Sequence, residues 1–289
     1  MSLSVLQETQ AYVRLSLAFV AFSLLACSSN PYTDRSQLLL MSPSQEAQLG
    51  AQAYAQILHD PKVRFSQDSR EVEPVRQVAK RIIEVAKASK YAEVAQQFKW
   101  EVSVIKDDKT LNAFALPGGK IAVYTGIFPI AKNEAGLAAI LGHEVVHALA
   151  RHGGERVSQG LLSQLGLEAA NIALTVAGSN PIVGQSAMAA LGVGANVGIL
   201  LPFSRAYESE ADYIGLLFAA QAGYDPREAV RVWERMEQAS KGQPAEFLST
   251  HPSHGTRIKQ LEEWMNEALS YYQPQPGIQA ADLPFVSVR

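Results

Sequence analysis

The chain has 289 residues, enough for one large domain or two small ones around a sizeable core. Charged residues make up 18% and the hydrophobic set 47%, the balance of a globular protein with few solvated tracts. A net charge of -3 with no basic cluster argues against nucleic acid as a partner, and a single cysteine excludes an internal disulfide framework.

Near the N-terminus, Arg14 precedes an uncharged apolar run from Leu15 to Ala26 that stops at Cys27. The run is shorter than the ~20 residues of a stable membrane-spanning helix and fits the apolar part of a secretory signal. Its end, Leu24-Leu25-Ala26-Cys27, resembles the lipobox of bacterial lipoproteins, and polar Ser28, Ser29 and Asn30 follow. That resemblance implies cleavage before Cys27, lipidation of Cys27 and a periplasmic chain anchored to membrane. Ser28 after the cysteine favours the inner face of the outer membrane.

After a polar tether, Ser42-Pro43-Ser44-Gln45 supplies a cap, a proline in the first turn and the Gln of a capping box, predicting a helix to about His59. A second helix, from about Glu71 to Ala88, carries Val75, Val78, Ile82 and Val85 on one face. The period then changes to two. Trp100 to Ile105 reads as a half-buried strand, and Leu111 to Leu116 and Lys120 to Thr125 as two more, joined by a tight turn at Pro117-Gly118-Gly119. Such a hairpin offers an extended peptide a place to add itself as a further strand.

From Asn133, a capping residue, to Gly153 and Gly154, Leu137, Ile140, Leu141, Val145 and Leu149 predict a largely buried helix. Its centre reads His143-Glu144-Val145-Val146-His147. Two imidazoles four residues apart project from one face and can share a metal ion, while Glu144 is placed to take a proton from a water on that metal. The alternative is a pair of core histidines, but burying two His and a Glu without a partner is costly. His152 falls nine residues after His143, on the opposite face of a continuous helix, and is excluded as a ligand.

From Val157 to Ser204 the only charged residue is Glu168. This stretch is either a segment packed over the site or a membrane-facing element, and the lack of a long unbroken apolar run favours the covering segment. A helix then starts near Ser204 and ends near Gly223. On it Glu208 and Asp212 share a face, with Glu210 pointing elsewhere. Glu208 is the predicted third ligand. Asp212 is the predicted acceptor for a ring N–H of a ligand histidine. Further helices are expected from Asp225 to about Ser240 and from about Arg257 to Leu269.

The order HEVVH, then Arg205-x-x-Glu208-x-Glu210-Ala211-Asp212, then His251-Pro-x-x-x-x-Arg257, resembles the gluzincin zinc metallopeptidases related to CAAX prenyl endopeptidases. The similarity is greatest to their small Oma-like branch and to the peptidase part of the periplasmic beta-barrel-assembly-enhancing protease. The resemblance implies one Zn2+ per chain on His143, His147 and Glu208, Glu144 as general base, and Asp212 supporting the ligands or donating a proton. It also implies that His251 can approach the metal and hold a resting state. The implied fold is α+β and mainly helical, with a small antiparallel sheet beside the metal helix. The expected plan is a signal peptide over 1–26, a tether over 27–41, a metallopeptidase domain over 42–270 and an extended tail over 271–289. The expected function is endoproteolysis of extended or misfolded envelope proteins, and the alternative is a non-proteolytic, zinc-binding assembly factor.

Overall fold

The computed structural model describes residues 27–161, 204–239, 247, 251, 255–275 and 282–284. The expected signal (1–26) and nearly all of the expected covering segment (162–203) lie outside the described residues.

Strands β1 (Cys27–Ser29) and β2 (Ser36–Leu38) pair antiparallel. The turn between them is closed by Asn30 N–H donating to Arg35 O and Asp34 N–H donating to Asn30 O, with Asp34 at φ 54. Asn and Asp tolerate such reversals, so the stretch expected as a tether is folded against the body. There the buried Gln37 amide donates to the Ala150 carbonyl at 2.7 Å.

Helix α1 (Pro43–Leu58) begins at Ser42 with both arms of the capping box formed. Helix α2 (Ser69–Lys87) is capped by Asp68 and buries Val75, Val78 and Ile82. A short helix, α3 (Ala92–Gln97), leads to β3 (Glu101–Ile105), β4 (Ala113–Leu116) and β5 (Lys120–Tyr124). The β4–β5 turn needs the positive φ of Gly118 (83°) and Gly119 (85°), which glycine adopts freely. The sheet order is β3-β5-β4, with β4 antiparallel and β3 parallel to β5. The expectation of an antiparallel sheet is corrected in this respect. Residues 106–112 carry the chain past the central position, so β5 returns between β3 and β4 and runs alongside β3.

After α4 (Phe128–Ala131), Lys132 at φ 68 swings the chain into α5 (Glu134–Leu149). The side chain of Asn133 caps α5 by accepting from Gly136 N–H at 2.9 Å. This helix forms the centre of the core, with Leu137, Leu141, Val145 and Val146 fully buried. It is surrounded by α2, β4 and two later helices, α6 (Arg205–Gln221) and α7 (Arg227–Ala239); α8 (Arg257–Tyr271) packs on α6 and α7.

The α5–α6 crossing is unusually close. A Cβ on Gly142 would lie 2.7 Å from Gly215 O, and one on Gly215 would lie 2.7 Å from His143 N. Two bare backbones therefore meet one residue before His143, which draws α6 and its carboxylates to the imidazole. Among the described residues no helix is long and apolar enough to cross a membrane. Mainly helical with small sheets, the fold is α+β.

Candidate metal centre

His143 and His147 project from α5 toward α6, from which Glu208 and Asp212 project back. His143 Nε2 lies 3.0 Å from His147 Nε2, 3.5 Å from Glu208 Oε2 and 3.1 Å from His251 Nδ1. Glu208 Oε1 is 3.3 Å from His147 Nε2 and 3.0 Å from His251 Nδ1. The four ligand atoms lie within 4.8 Å of one another, and all four residues are buried. Two atoms held tetrahedrally at 2.0–2.1 Å from one zinc ion are themselves about 3.3 Å apart, so these spacings suit a shared metal. Three ring nitrogens and a carboxylate, shielded from water, also form the donor set zinc favours.

The charges are arranged to keep the donors available. Burial opposes ionisation of Glu208, but His251, Arg257 and His143 outweigh it and hold the carboxyl well below the usual range. Burial drives His147 well below the ordinary imidazole value, leaving a neutral ring. At His143, burial is outweighed by Asp212 and Glu208, and the imidazole is pushed up to about 9. A cation binding there displaces that proton.

Behind the donors, Asp212 Oδ1 accepts from His143 Nδ1–H at 2.8 Å. The guanidinium of Arg257 pairs with both oxygens of Asp212, reaches Glu208 Oε2 at 2.9 Å, and lies 3.4 Å over the ring of Trp233. Glu144 is buried, 3.3 Å from His251 Nε2, and shares a small pocket with Ala115 of β4. Burial pushes its carboxyl up, against the pull of His251 and His143. The pocket over Glu144, walled by Phe114 to Pro117, His147, Arg156 and His251, has a volume of about 20 Å³, room for a water molecule and not for a peptide.

The structure thus brings Glu144, Asp212, His143, His147, Glu208 and His251 together. It also corrects the expectation for His152. Helix α5 stops at Leu149, short of Gly153, and Arg151 takes φ 58 while its side chain is pinned by Glu46 at 2.8 and 2.9 Å. The helical turn that restarts at 152 swings His152 back under the site, where its Nδ1 lies 2.9 Å from His147 Nδ1. As expected it stays outside the four-residue cluster, but it touches one of its members. Sequence reasoning missed this contact, as it missed the Gly142–Gly215 approach. Arg257 sat in the His251 motif without a role, and that motif was the signal that could have found it.

The family model described as Peptidase family M48 matches residues 72–265. The mitochondrial metalloendopeptidase OMA1 of Schizosaccharomyces pombe is 44% identical over 196 residues, covering 67% of this chain and 53% of that protein. The protein of the same name from Saccharomyces cerevisiae is 33% identical over 261 residues, covering 84% of this chain and 70% of its own length. The beta-barrel assembly-enhancing protease of Yersinia pestis is 29% identical over 185 residues, covering 62% and 36%. The chain therefore spans about half the length of the fission-yeast relative. These relatives overturn the expectation of a periplasmic, lipid-anchored protein, because the more similar ones are named as mitochondrial and the bacterial protease matches more distantly. An apolar run of this length ending in cysteine does not by itself encode a compartment. The backbone of Cys27 opens β1.

Proposed function

The chain belongs to peptidase family M48, and we propose that it is a zinc metalloendopeptidase acting on extended or unfolded polypeptides. The observation that carries this reading is the buried cage of His143, His147, Glu208 and His251 with Glu144 beside it. His143, His147 and Glu208 are the residues that would hold zinc, which when bound supplies the Lewis acidity that makes water nucleophilic near neutral pH. Glu144 takes the proton from the attacking water and delivers it to the leaving amine. Its raised affinity for protons, a product of burial, suits a group that must both accept and return one.

Substrate selection follows from β4. Among the described residues it is the edge of the sheet, and Tyr124 N–H donating to Asn112 O fixes the alternation that turns the Ala113 and Ala115 backbone outward. An extended chain pairing there is held by its backbone, so selection favours unfolded segments over particular side chains. His251 supplies a fourth donor, and a closed set of four leaves no position for the reaction. Its displacement is the opening step, and His251→Ala should raise basal proteolysis at equal zinc content; a lower or unchanged rate would remove the resting role.

The closed four-donor set and the small pocket also favour a second reading, a zinc-binding assembly factor without proteolysis. Such a protein does not need Glu144. Zinc content and casein cleavage, measured for the purified chain and for Glu144→Gln with and without chelator, separate the two. One zinc in each, with chelator-sensitive cleavage in the first alone, supports the peptidase. Zinc in both with cleavage in neither supports the second reading.

A further inference from the structure

We propose that Arg35, Glu210 and His152 are positioning residues for His147, through which the N-terminal hairpin fixes that ligand's tautomer and ring orientation. The inference rests on the reading of His147 as a metal ligand. It begins at the hairpin tip, where Arg35 is 23% exposed at its side chain and reaches inward. Its guanidinium donates to both oxygens of Glu155 at 2.9 Å and to Glu210 Oε2 at 2.9 and 3.2 Å. The Thr33 hydroxyl donates to the other Glu210 oxygen. Held from both sides, the Glu210 carboxylate accepts from His152 Nε2–H at 2.7 Å.

From there the direction of each bond follows. An ionised carboxylate only accepts, so the proton of neutral His152 is on Nε2 and its Nδ1 carries a lone pair. That lone pair accepts from His147 Nδ1–H at 2.9 Å, which leaves the His147 Nε2 lone pair aimed into the cage. Packing holds the relay in line: Tyr207 stacks on His152 at 4.7 Å and 11°, and Arg35 lies 4.8 Å over the same Tyr207 ring. His152 is fully buried and the Glu210 side chain is 2% exposed. Thr33 and Arg35 precede the stretch 72–265 matched by the family model.

The test uses the full chain, with the zinc dissociation constant measured by competition with a chromophoric chelator and the His147 ring nitrogens followed by nitrogen-15 NMR in the metal-free state. Removal of such a partner typically weakens metal affinity 10–100-fold, the expected loss for His152→Phe, with about 3–10-fold for Arg35→Gln, two links further out. His152→Gln should recover most of the loss, since its amide can accept from His147 and donate to Glu210. Dissociation constants within about twofold of wild type in folded His152→Phe and Arg35→Gln would overturn the proposal. If His152→Phe does not fold, the half-buried Arg35 variant decides it alone. If the wild-type chain binds no zinc, the metal reading itself fails and the spectrum decides the relay: a single Nδ1–H tautomer at His147 that becomes mixed in Arg35→Gln supports it, and no change opposes it.

Discussion

The two imidazoles of HEVVH are supported in different ways. On the His143 side a carboxylate, Asp212, accepts the ring N–H directly and is itself locked by Arg257. On the His147 side another imidazole stands between: His152 accepts the N–H, Glu210 accepts from His152, and Arg35 locks Glu210. Both chains end in an arginine, but one is short and wholly buried while the other reaches the partly exposed turn of the N-terminal hairpin. A short relay is stiff and expensive to break. A longer one couples a distant segment to the same cage at lower cost per link.

The largest effect is expected where that short relay is cut. Arg257→Met strips the cation from two buried carboxylates, Glu208 and Asp212, and should lower the stability of the metal-free chain by about 3–5 kcal/mol. Urea unfolding in the presence of chelator measures it, and a loss below about 1 kcal/mol would show that Arg257 is not what makes that side rigid. Next comes the helix crossing that places the short relay. Gly215→Ala forces a Cβ to within 2.7 Å of His143 N, and overpacking of this kind costs about 1–3 kcal/mol. Zinc affinity should fall with it, since α6 must move away with Glu208 and Asp212 attached. Unaltered affinity would mean that the cage tolerates a wider crossing.

Comparing the carboxylates tests the contrast itself. Asp212→Ala should weaken zinc binding about 10–100-fold, whereas Glu210→Gln, one imidazole removed, should cost only several-fold. Chelator competition on the two variants gives the ratio. A Glu210 effect equal to that of Asp212 would show that distance along the relay does not grade the support.

What the sequence revealed follows the same division. Helix periodicity carries information over one or two turns, so the HEVVH face, the Glu208–Asp212 face and the Ser42 capping box were all legible, and helix bounds fell within a few residues. The His147 relay was not, because it depends on a break in that periodicity. Extending the α5 helix through Gly154 puts His152 on the far side; ending it at Leu149 puts His152 against His147. Likewise a hairpin of three-residue strands has too few alternations to be recognised, and the place of β5 between β3 and β4 is a matter of connection, not pattern. The glycines at 142 and 215 were visible letters, but their meaning is a contact between helices, which spacing within one helix cannot show.

The smallest effect lies at the break. Arg151 is held at φ 58, a conformation unfavourable for any residue with a Cβ, and its guanidinium compensates by pairing with the buried Glu46 and donating to Met41 O at 2.7 Å. Arg151→Gly and Arg151→Ala both lose that ion pair, so both should destabilise the chain. They differ only in the backbone, where glycine accepts the left-handed conformation and alanine does not. The glycine variant should therefore be the more stable by about 1 kcal/mol, although glycine ordinarily loses to alanine through unfolded-state entropy. Urea midpoints for the pair give the difference directly. If alanine proves equal or better, the turn is not strained, and His152 reaches His147 because Glu46 pulls the chain round and not because the backbone is set that way.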